Sequence, residues 1–424
     1  MKWWNPRTWG GKSRWGVPIL DLLAASGDNV NGYTYSKGVK QGYMDTDIVF
    51  SGVDLISSSM SSVPVRGMRR TGDGKSEPLE ENHPLNKLLR SPNPLQKQND
   101  FMYAEAAFRL LGGQAYTWVN TGVTDEFQDS SSEPLELWAM SPETATMESR
   151  NGQFQFKINT SQTVNCVGPQ IGQRTIPVDA VTGQANMINW KTFNPLSMCE
   201  GMSPLKPANI AIDIYRAGNI WNRGYFKNGC RPSTALTSKD PIPDKTYNRI
   251  KKELTELYSG LQNGNGRPII LDMMTPTELS ASPKDADFSG SSAEMQKNIF
   301  RVLNIPPILL NIGGDTTFSN QKEAQLWFWD NMIIPMTEDY VMEMNRNITP
   351  RYRDPSIFIE ADYSEIPALE PRRTQLWERA NKADFITLNE KRAMVGMPST
   401  EGGDVILVPS AQIPLSMASF NPPE

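Results

Sequence analysis

The sequence is short of the residues that most often carry chemistry. One histidine, His83, occurs in 424 residues. That excludes histidine-rich zinc sites and leaves any Ser-His or Cys-His mechanism a single candidate base. His83 stands directly before Pro84, which disfavours helix at that position, so it reads as a loop residue. The three cysteines (Cys166, Cys199 and Cys230) form no C-x-x-C pair. They argue against a disulfide scaffold and suit a reducing compartment. With no evident base partner they read as packing residues. No stretch approaches the ~20 apolar residues that span a bilayer. Val17-Pro18-Ile19-Leu20, behind Lys2 and Arg7, imitates a signal sequence, but Asp21 interrupts it and no small-residue cleavage site follows. The expectation is a chain made and kept in a cytoplasm. There is no excess of positive charge either. The 42 Lys+Arg against 47 Asp+Glu leave a net charge of -5, so any contact with DNA must be local.

What is present describes a folded, multi-domain chain. Apolar residues make up 38% and charged residues 21%, enough for real cores, and the length predicts two to four modules. Residues 1–40 form an arm in which Trp3, Trp4, Trp9 and Trp15 alternate with Lys2, Arg7, Lys12 and Arg14. Aromatics among basic residues suit stacking on bases, a membrane surface, or docking on a partner or neighbouring subunit. No helical apolar stripe supports the membrane alternative. Gly11-Lys12-Ser13 imitates the end of a phosphate-binding loop, but Pro6 stands where the pattern needs glycine, so this is not a nucleotide site.

From 41 to 200 helical and strand periodicities mix, which predicts an α+β domain. Asp47 to Met60 has helical spacing through Ile48, Val49, Val53, Leu55 and Ile56. Asp100 begins a second helix that ends at Gly112-Gly113. Strands are expected at 115–119, 135–138 and 154–158, broken by Ser-Pro and Asn-Gly turns. Beyond 201, Pro204 or Pro207 is expected to open a helix with Ile210, Ile214, Ala217, Trp221 and Tyr225 on one stripe. A β-α-β insertion follows: strand Ser233–Thr237, a helix capped by Asp244, and strand Pro268–Met273. Ser291-x-x-Glu294 reads as a capping box for the next helix, which Pro306-Pro307 halts. A long helix then carries Leu326, Trp329, Ile333, Met336, Tyr340 and Met344 on one stripe, with Pro335 expected to kink it. Strand 357–363 and helices near 371–383 and 387–395 complete the pattern, Thr387-x-x-Glu390 capping the last. Pro409, Pro414, Pro422 and Pro423 mark an extended or disordered tail.

Candidate catalytic residues are few. Glu360 and Asp362 fall two apart on a predicted strand, a spacing that suits two carboxylates holding Mg²⁺ in a nuclease and equally a solvated strand face. Asp45 and Asp47 share that spacing. Lys206, Arg216, Arg223 and Lys227 recur within one predicted helix and suit either phosphate contact or a salt-bridged face.

Several local patterns, in this order, carry a family resemblance. His83-Pro84-Leu85-x-x-Leu88-Leu89-x-x-Pro92-Asn93 precedes the Phe101 helix and Gly112-Gly113-Gln114-Ala115-Tyr116. Gly201-Met202-Ser203-Pro204-Leu205 opens a helix ending Tyr225-Phe226-Lys227-Asn228-Gly229. Ile305-Pro306-Pro307 with Asn320 leads into the helix containing Pro335. Leu388-Asn389-Glu390-x-Arg392 is followed by Gly402-Gly403-Asp404. Over about residues 43–400 the chain resembles the portal (head–tail connector) proteins of tailed bacteriophages, in the branch typical of long-tailed lambdoid phages. One departure is Asn189, where family members often carry histidine.

The resemblance implies an α+β, portal-like subunit that assembles into a twelvefold ring at one capsid vertex. It implies an α/β wing at 41–202, a two-helix stem at 203–229 and 286–305, and a small β-α-β clip at 230–285. It further implies a tunnel loop at 306–320, a long kinked helix and return strand to the wing at 321–368, a helical crown at 369–397 and a tail at 398–424. The implied role is structural rather than enzymatic, without cofactor or metal. The ring would conduct double-stranded DNA, independently of sequence, during packaging and ejection. Its partners would be the terminase large subunit, which holds the packaging ATPase, the major capsid protein and a head–tail adaptor protein, with no membrane. Implied channel residues are Asn311, Gly313, Gly314, Asp315, Thr316, Thr317 and Phe318 of the tunnel loop. Lys206, Arg216, Arg223, Lys227, Lys297 and Arg301 are the corresponding stem cations. The implied location is the virion, after assembly in the bacterial cytoplasm.

Overall fold

The helical spacing after Asp47 produces α1 (Asp47–Ser61) in the computed structural model, with Ile48, Val49, Val53, Ile56 and Met60 buried. Leu55 is only half-buried. Each such side chain, when fully buried, contributes about 1.5–3 kcal/mol. The described residues are 32–71, 76–122, 131–150, 152–160, 172–227, 234–238, 243, 245–246, 248–249, 252, 274–278, 288–310, 317–383, 385–397 and 399–404. Strand β1 (Val65–Arg70) follows α1, then β2 (Ser76–Pro78) and helix α2 (Pro84–Arg90). His83 has the extended, non-helical backbone expected before Pro84. It is the N-cap of α2, its Nδ1 accepting a hydrogen bond from the Leu85 amide at 3.2 Å, with Pro84 in the first turn.

Helix α3 (Gln98–Gly112) starts two residues before Asp100. The Asp100 carboxylate accepts instead from the Lys97 amide, one half of a capping box. Gly113 ends the helix at φ 79°, where a side chain would be strained. Strand β3 (Gln114–Asn120) lies between β4 (Glu136–Met140) and β8 (Met187–Lys191), antiparallel to both. Strands β5 (Ala145–Arg150), β6 (Gln153–Asn159) and β7 (Gln173–Pro177) form a second antiparallel sheet. Tyr116, Met140, Phe156 and Ile176 fill a small core between the two.

The free arm expected over residues 1–40 is already folded before its end. Tyr33 and Tyr35 pack on the main core, and the Tyr33 hydroxyl donates to the Leu111 carbonyl at 2.7 Å. A turn of α-helix (Tyr35–Lys37) runs into a π-helix (Gly38–Met44). Residues 1–31 lie outside the described residues.

Helix α4 (Asn209–Lys227) begins later than either proline. Lys206, Ala208 and Asn209 donate to carbonyls three residues back, and the α register starts with Ile212 donating to Ala208 at 3.0 Å. The buried face is also different from the expected stripe. Ala211, Ile212 and Tyr215 are buried, whereas Ile210 is 64% and Ile214 43% exposed. Contacts to the N-terminal elements set this rotation: Lys37 pairs with Asp213 at 2.9 Å, and the Tyr215 hydroxyl donates to Asp47 at 3.0 Å.

In the insertion, β9 (Thr234–Ser238) pairs antiparallel with β10 (Met274–Glu278). The strand expected at Pro268–Met273 lies outside the described residues, and the observed partner begins one residue beyond it. Among the described residues β9 and β10 pair only with each other, an arrangement in which an edge position tolerates Pro276. Helix α5 (Phe288–Val302) is already helical before Ser291, so Ser291 and Glu294 are interior residues and not a capping box. A three-residue spacing marks a cap only where the first residue is non-helical.

After a 3-10 turn (Pro307–Leu310), α6 (Phe318–Phe328), a π segment (Trp329–Ile333) and α7 (Ile334–Asn347) follow without a break. Pro335 has no amide to donate, and the wider π turn directly before it absorbs the missing bond. Strand β11 (Ile357–Ala361) joins β1 antiparallel, from Val65 opposite Ala361 to Arg69 opposite Ile357. Helices α8 (Glu370–Lys382) and α9 (Leu388–Met394) close the described chain. At α9 the Thr387–Glu390 capping box forms in both directions, at 2.8 and 3.2 Å.

Candidate channel and ring surface

Two glycine motifs far apart in sequence meet between the end of α3 and the segment that leads into α4. A Cβ on Gly201 would overlap the Gly113 carbonyl, and a Cβ on Gly113 would overlap the Met202–Ser203 backbone. Thr192 donates both its amide and its hydroxyl to the Gly113 carbonyl, at 2.9 and 2.8 Å. The Gly201 amide donates to Gln114 Oε1 at 2.9 Å, and the Ser203 hydroxyl to the Leu110 carbonyl at 2.7 Å. The start of the α4 segment is thereby fixed to the end of α3.

The basic residues of the α4 segment divide. Lys206 and Arg223 are exposed. Arg216 is half-buried and pairs with Asp45 at 3.3 Å. With the Lys37–Asp213 and Tyr215–Asp47 contacts, this makes Arg216 part of a lock between α4 and the start of α1. The side chain of Lys227 lies outside what is described. Asp45 and Asp47, two apart in sequence, serve that lock rather than facing each other across a metal.

On α5, Lys297 and Arg301 are exposed one turn apart, with Arg301 donating to Asn298 Oδ1 at 3.1 Å. Both border a cleft of about 670 Å³ between the end of α5 and the start of α6. Of the channel residues that the resemblance implies, Asn311, Gly313, Gly314, Asp315 and Thr316 lie outside the described residues. Thr317 caps α6, its hydroxyl accepting from the Asn320 amide at 3.4 Å. Phe318 is 73% exposed, with the Lys322 ammonium 4.6 Å from its ring centre.

Glu360 is exposed on β11, opposite Arg66 in register. Asp362 lies just beyond the strand and pairs with Arg66 at 3.2 Å. Partial burial pushes the Asp362 carboxyl up, but hydrogen bonds from Ser364 and the Arg66 charge hold it below the usual carboxylate range. Among the described residues, no three His, Cys, Asp or Glu side chains gather as a metal ion requires. No helix among them is long and apolar enough to cross a membrane. Cys199 is half-buried with a free thiol. Asn189 donates to the Cys199 carbonyl at 3.3 Å, a structural contact.

Sequence reasoning missed the buried polar groups. Glu105 on α3 is fully buried, accepts from the Thr117 hydroxyl at 2.8 Å, and has no partner for Oε2. Burial pushes its carboxyl up to about 8, against the Thr117 hydrogen bond. Arg109 pairs with Asp339 at 2.7 Å and lies 4.2 Å from the Trp190 ring centre, while Trp190 Nε1 donates to the same carboxylate. Arg351 is 1% exposed and donates to the carbonyls of Asn347 and Ala185 and to Asn186 Oδ1, at 2.9, 2.7 and 2.8 Å. Periodicity carries no mark for such residues. The one available signal was Glu105 on the apolar side of α3.

The family model described as "Phage portal protein" matches residues 47–396. An uncharacterised protein of Rickettsia bellii is 30% identical over 402 residues, 93% of this chain and 98% of that protein. The portal protein of Enterobacteria phage HK97 is 20% identical over 377 residues, 87% of this chain and 82% of that protein. Among solved structures, a chain from the neck of a native gene transfer agent particle, computed with C12 symmetry, superposes with a TM-score of 0.62 at 23% identity. The match covers 86% of this chain and 94% of that chain. The α+β architecture described above is that portal fold, and this chain belongs to the phage portal protein family.

Proposed function

We propose that this protein is a structural component of a virion whose copies close into a twelvefold ring, a conduit for double-stranded DNA. The observation that carries the reading is the family match across most of the chain, with the C12 symmetry of the gene transfer agent neck as support for ring order. In this reading residues 41–202 are the wing, α4 and α5 the stem, the β9–β10 insertion the clip, 306–320 the tunnel loop, and α8 and α9 the crown. A twelvefold bore cannot match the helical repeat of DNA, so base readout would serve no purpose. Contacts fall on phosphates and stay weak. Lys297 and Arg301, exposed one turn apart beside the tunnel segment, are the favoured cations. Lys206 and Arg223 follow, and Arg216 is engaged by Asp45. A net charge of -5 per chain discourages the wall from holding DNA. The clip docks the terminase large subunit and then a head–tail adaptor, and the wing meets the major capsid protein.

Analytical ultracentrifugation and negative-stain microscopy of the purified full chain test the assembly. Annular particles with an open centre are expected, with no nucleotide hydrolysis by the protein alone. Monomers and dimers only, across salt and concentration, contradict it.

A further inference from the structure

The continuous helix from α6 to α7 carries one residue more than an α-helix needs. In the π segment Trp329–Ile333 the Ile334 amide donates five residues back, to the Trp329 carbonyl. Such a turn is an α-helical turn with one residue inserted. The Asn331 side chain covers the Trp327 carbonyl at 2.9 Å, and the Thr337 hydroxyl covers the Ile333 carbonyl at 2.8 Å. Pro335 has no amide, so one carbonyl goes without a backbone donor whether the turn is π or α. Upstream, α6 is lightly held. Of its residues only Phe328 is buried, and it rests on the turns Pro307–Leu310 and Pro367–Leu369. Open space borders this stretch on two sides. One is the cleft of about 670 Å³ at Ala324 and Trp327, the other a cavity of about 370 Å³ at Asn331, Met332 and Pro335.

We propose that the surplus residue makes this turn a register switch. In its second state the wide turn closes to α, and each residue of α6 takes the place of the one before it. Trp329 then fills the slot of Phe328, Phe328 stands where Trp327 stood, and Trp327 takes the place of the half-buried Leu326. The sequence suits that exchange. Trp327, Phe328 and Trp329 are consecutive aromatics, so the buried slot holds an aromatic ring in either state. A polar residue after Phe328 would be buried by the shift without a partner, at a prohibitive cost. The larger indole has to be accommodated, and the cavity at Met332 opens one turn along the helix from Phe328. The shift turns α6 by about 100° and moves it by about 1.5 Å. In the cleft beside Lys297 and Arg301, Gln325 and Phe328 replace Ala324 and Trp327. The surface next to the two α5 cations therefore changes while Met336, Tyr340 and Met344 of α7 stay in the core.

Maleimide labelling of the full chain, read peptide by peptide in the mass spectrometer, tests the switch. Phe328 is 1% exposed, but the place it takes on shifting, that of Trp327, is 47% exposed. Val341, 4% exposed on α7, has no such second place. The Phe328→Cys thiol should therefore react at least about tenfold faster than the Val341→Cys thiol. Deleting Asn331 removes the surplus residue, closes the turn and leaves both flanking segments where they are. In that background Phe328→Cys should slow to the Val341→Cys rate, and the deletion alone should keep the wild-type circular dichroism spectrum. Equal labelling of Phe328→Cys with and without Asn331 means fraying of α6 and overturns the switch. A Phe328→Cys thiol as slow as Val341→Cys throughout, or a deletion that unfolds the chain, overturns it as well. Should Phe328→Cys itself misfold, hydrogen exchange decides. Peptides within 318–333 should exchange about tenfold faster in wild type than in the deletion, with 336–347 unchanged, and the same rates in both proteins overturn the switch.

Discussion

Gly113 and Gly201 cross backbone against backbone, with no room for a Cβ on either. Gly113 also holds φ 79°, so it is constrained twice. Gly201→Ala should destabilise the subunit by about 3 kcal/mol or more, since backbone and not a flexible side chain would have to move. Gly152→Ala is the control. It has φ 80°, but nothing lies within 4 Å of where its Cβ would stand, so only the backbone conformation is penalised, by about 1 kcal/mol. Denaturant midpoints of the two variants check this, and equal losses would contradict it.

Glu105 gives the fold a pH dependence with a definite sign. Its folded-state pKa, about 8, lies above the ordinary value of 4.5. The folded chain therefore keeps a proton that the unfolded chain releases between those values. Stability from this group is fully present below about pH 4.5 and is lost as pH climbs toward about 8. Glu105→Gln keeps an acceptor for the Thr117 hydroxyl and cannot ionise. It should flatten that part of the melting-temperature profile and exceed wild type above pH 8. Parallel profiles for the two proteins would contradict the assignment.

Arg216 and Lys297/Arg301 should separate cleanly in DNA binding. Replacing Lys297 and Arg301 with Gln should lower the slope of log affinity against log salt by about 1.8 for each engaged subunit. Arg216→Gln should leave that slope unchanged. Its effect belongs to the α4–α1 lock, where a double-mutant cycle with Asp45→Ala should give a coupling of about 0.5 kcal/mol for this partly exposed pair. A salt slope that responds to Arg216→Gln and not to the α5 pair would reverse the roles.

Arg351→Lys should cost about 2–3 kcal/mol despite keeping the charge. A single ammonium cannot reproduce the planar set of donors that reaches Asn347, Ala185 and Asn186 together. The check is the urea midpoint at unchanged m-value. A stability within about 0.5 kcal/mol of wild type, the usual scatter of surface changes, would contradict it.

Local signals in the sequence located most elements because each rests on neighbours in the chain. The spacing of Val49, Val53, Ile56 and Met60 requires only one turn of memory, and so do Gly113, the Thr387–Glu390 box and Pro335. The rotation of α4 does not. Which of Ile210, Ile212 and Ile214 turns inward depends on Lys37, Asp45 and Asp47, more than 150 positions away. The cap at His83 was hidden because a residue before proline looks the same in a loop and at a helix start. Glu360 and Asp362 were legible as a pair, but the Arg66 that holds Asp362 sits on the neighbouring strand from a distant part of the sequence. The stem cations were visible as charge, and only the packing of α4 on α1 distinguishes Arg216 from Lys297 and Arg301.

Cryo-electron microscopy of the full chain assembled in the presence of duplex DNA tests the central claim most directly. The account predicts a closed ring with a continuous rod of duplex density along an open axis and no fixed base register. A ring with a filled centre, a bore too narrow for a double helix, or duplex bound only on the outer surface would contradict it.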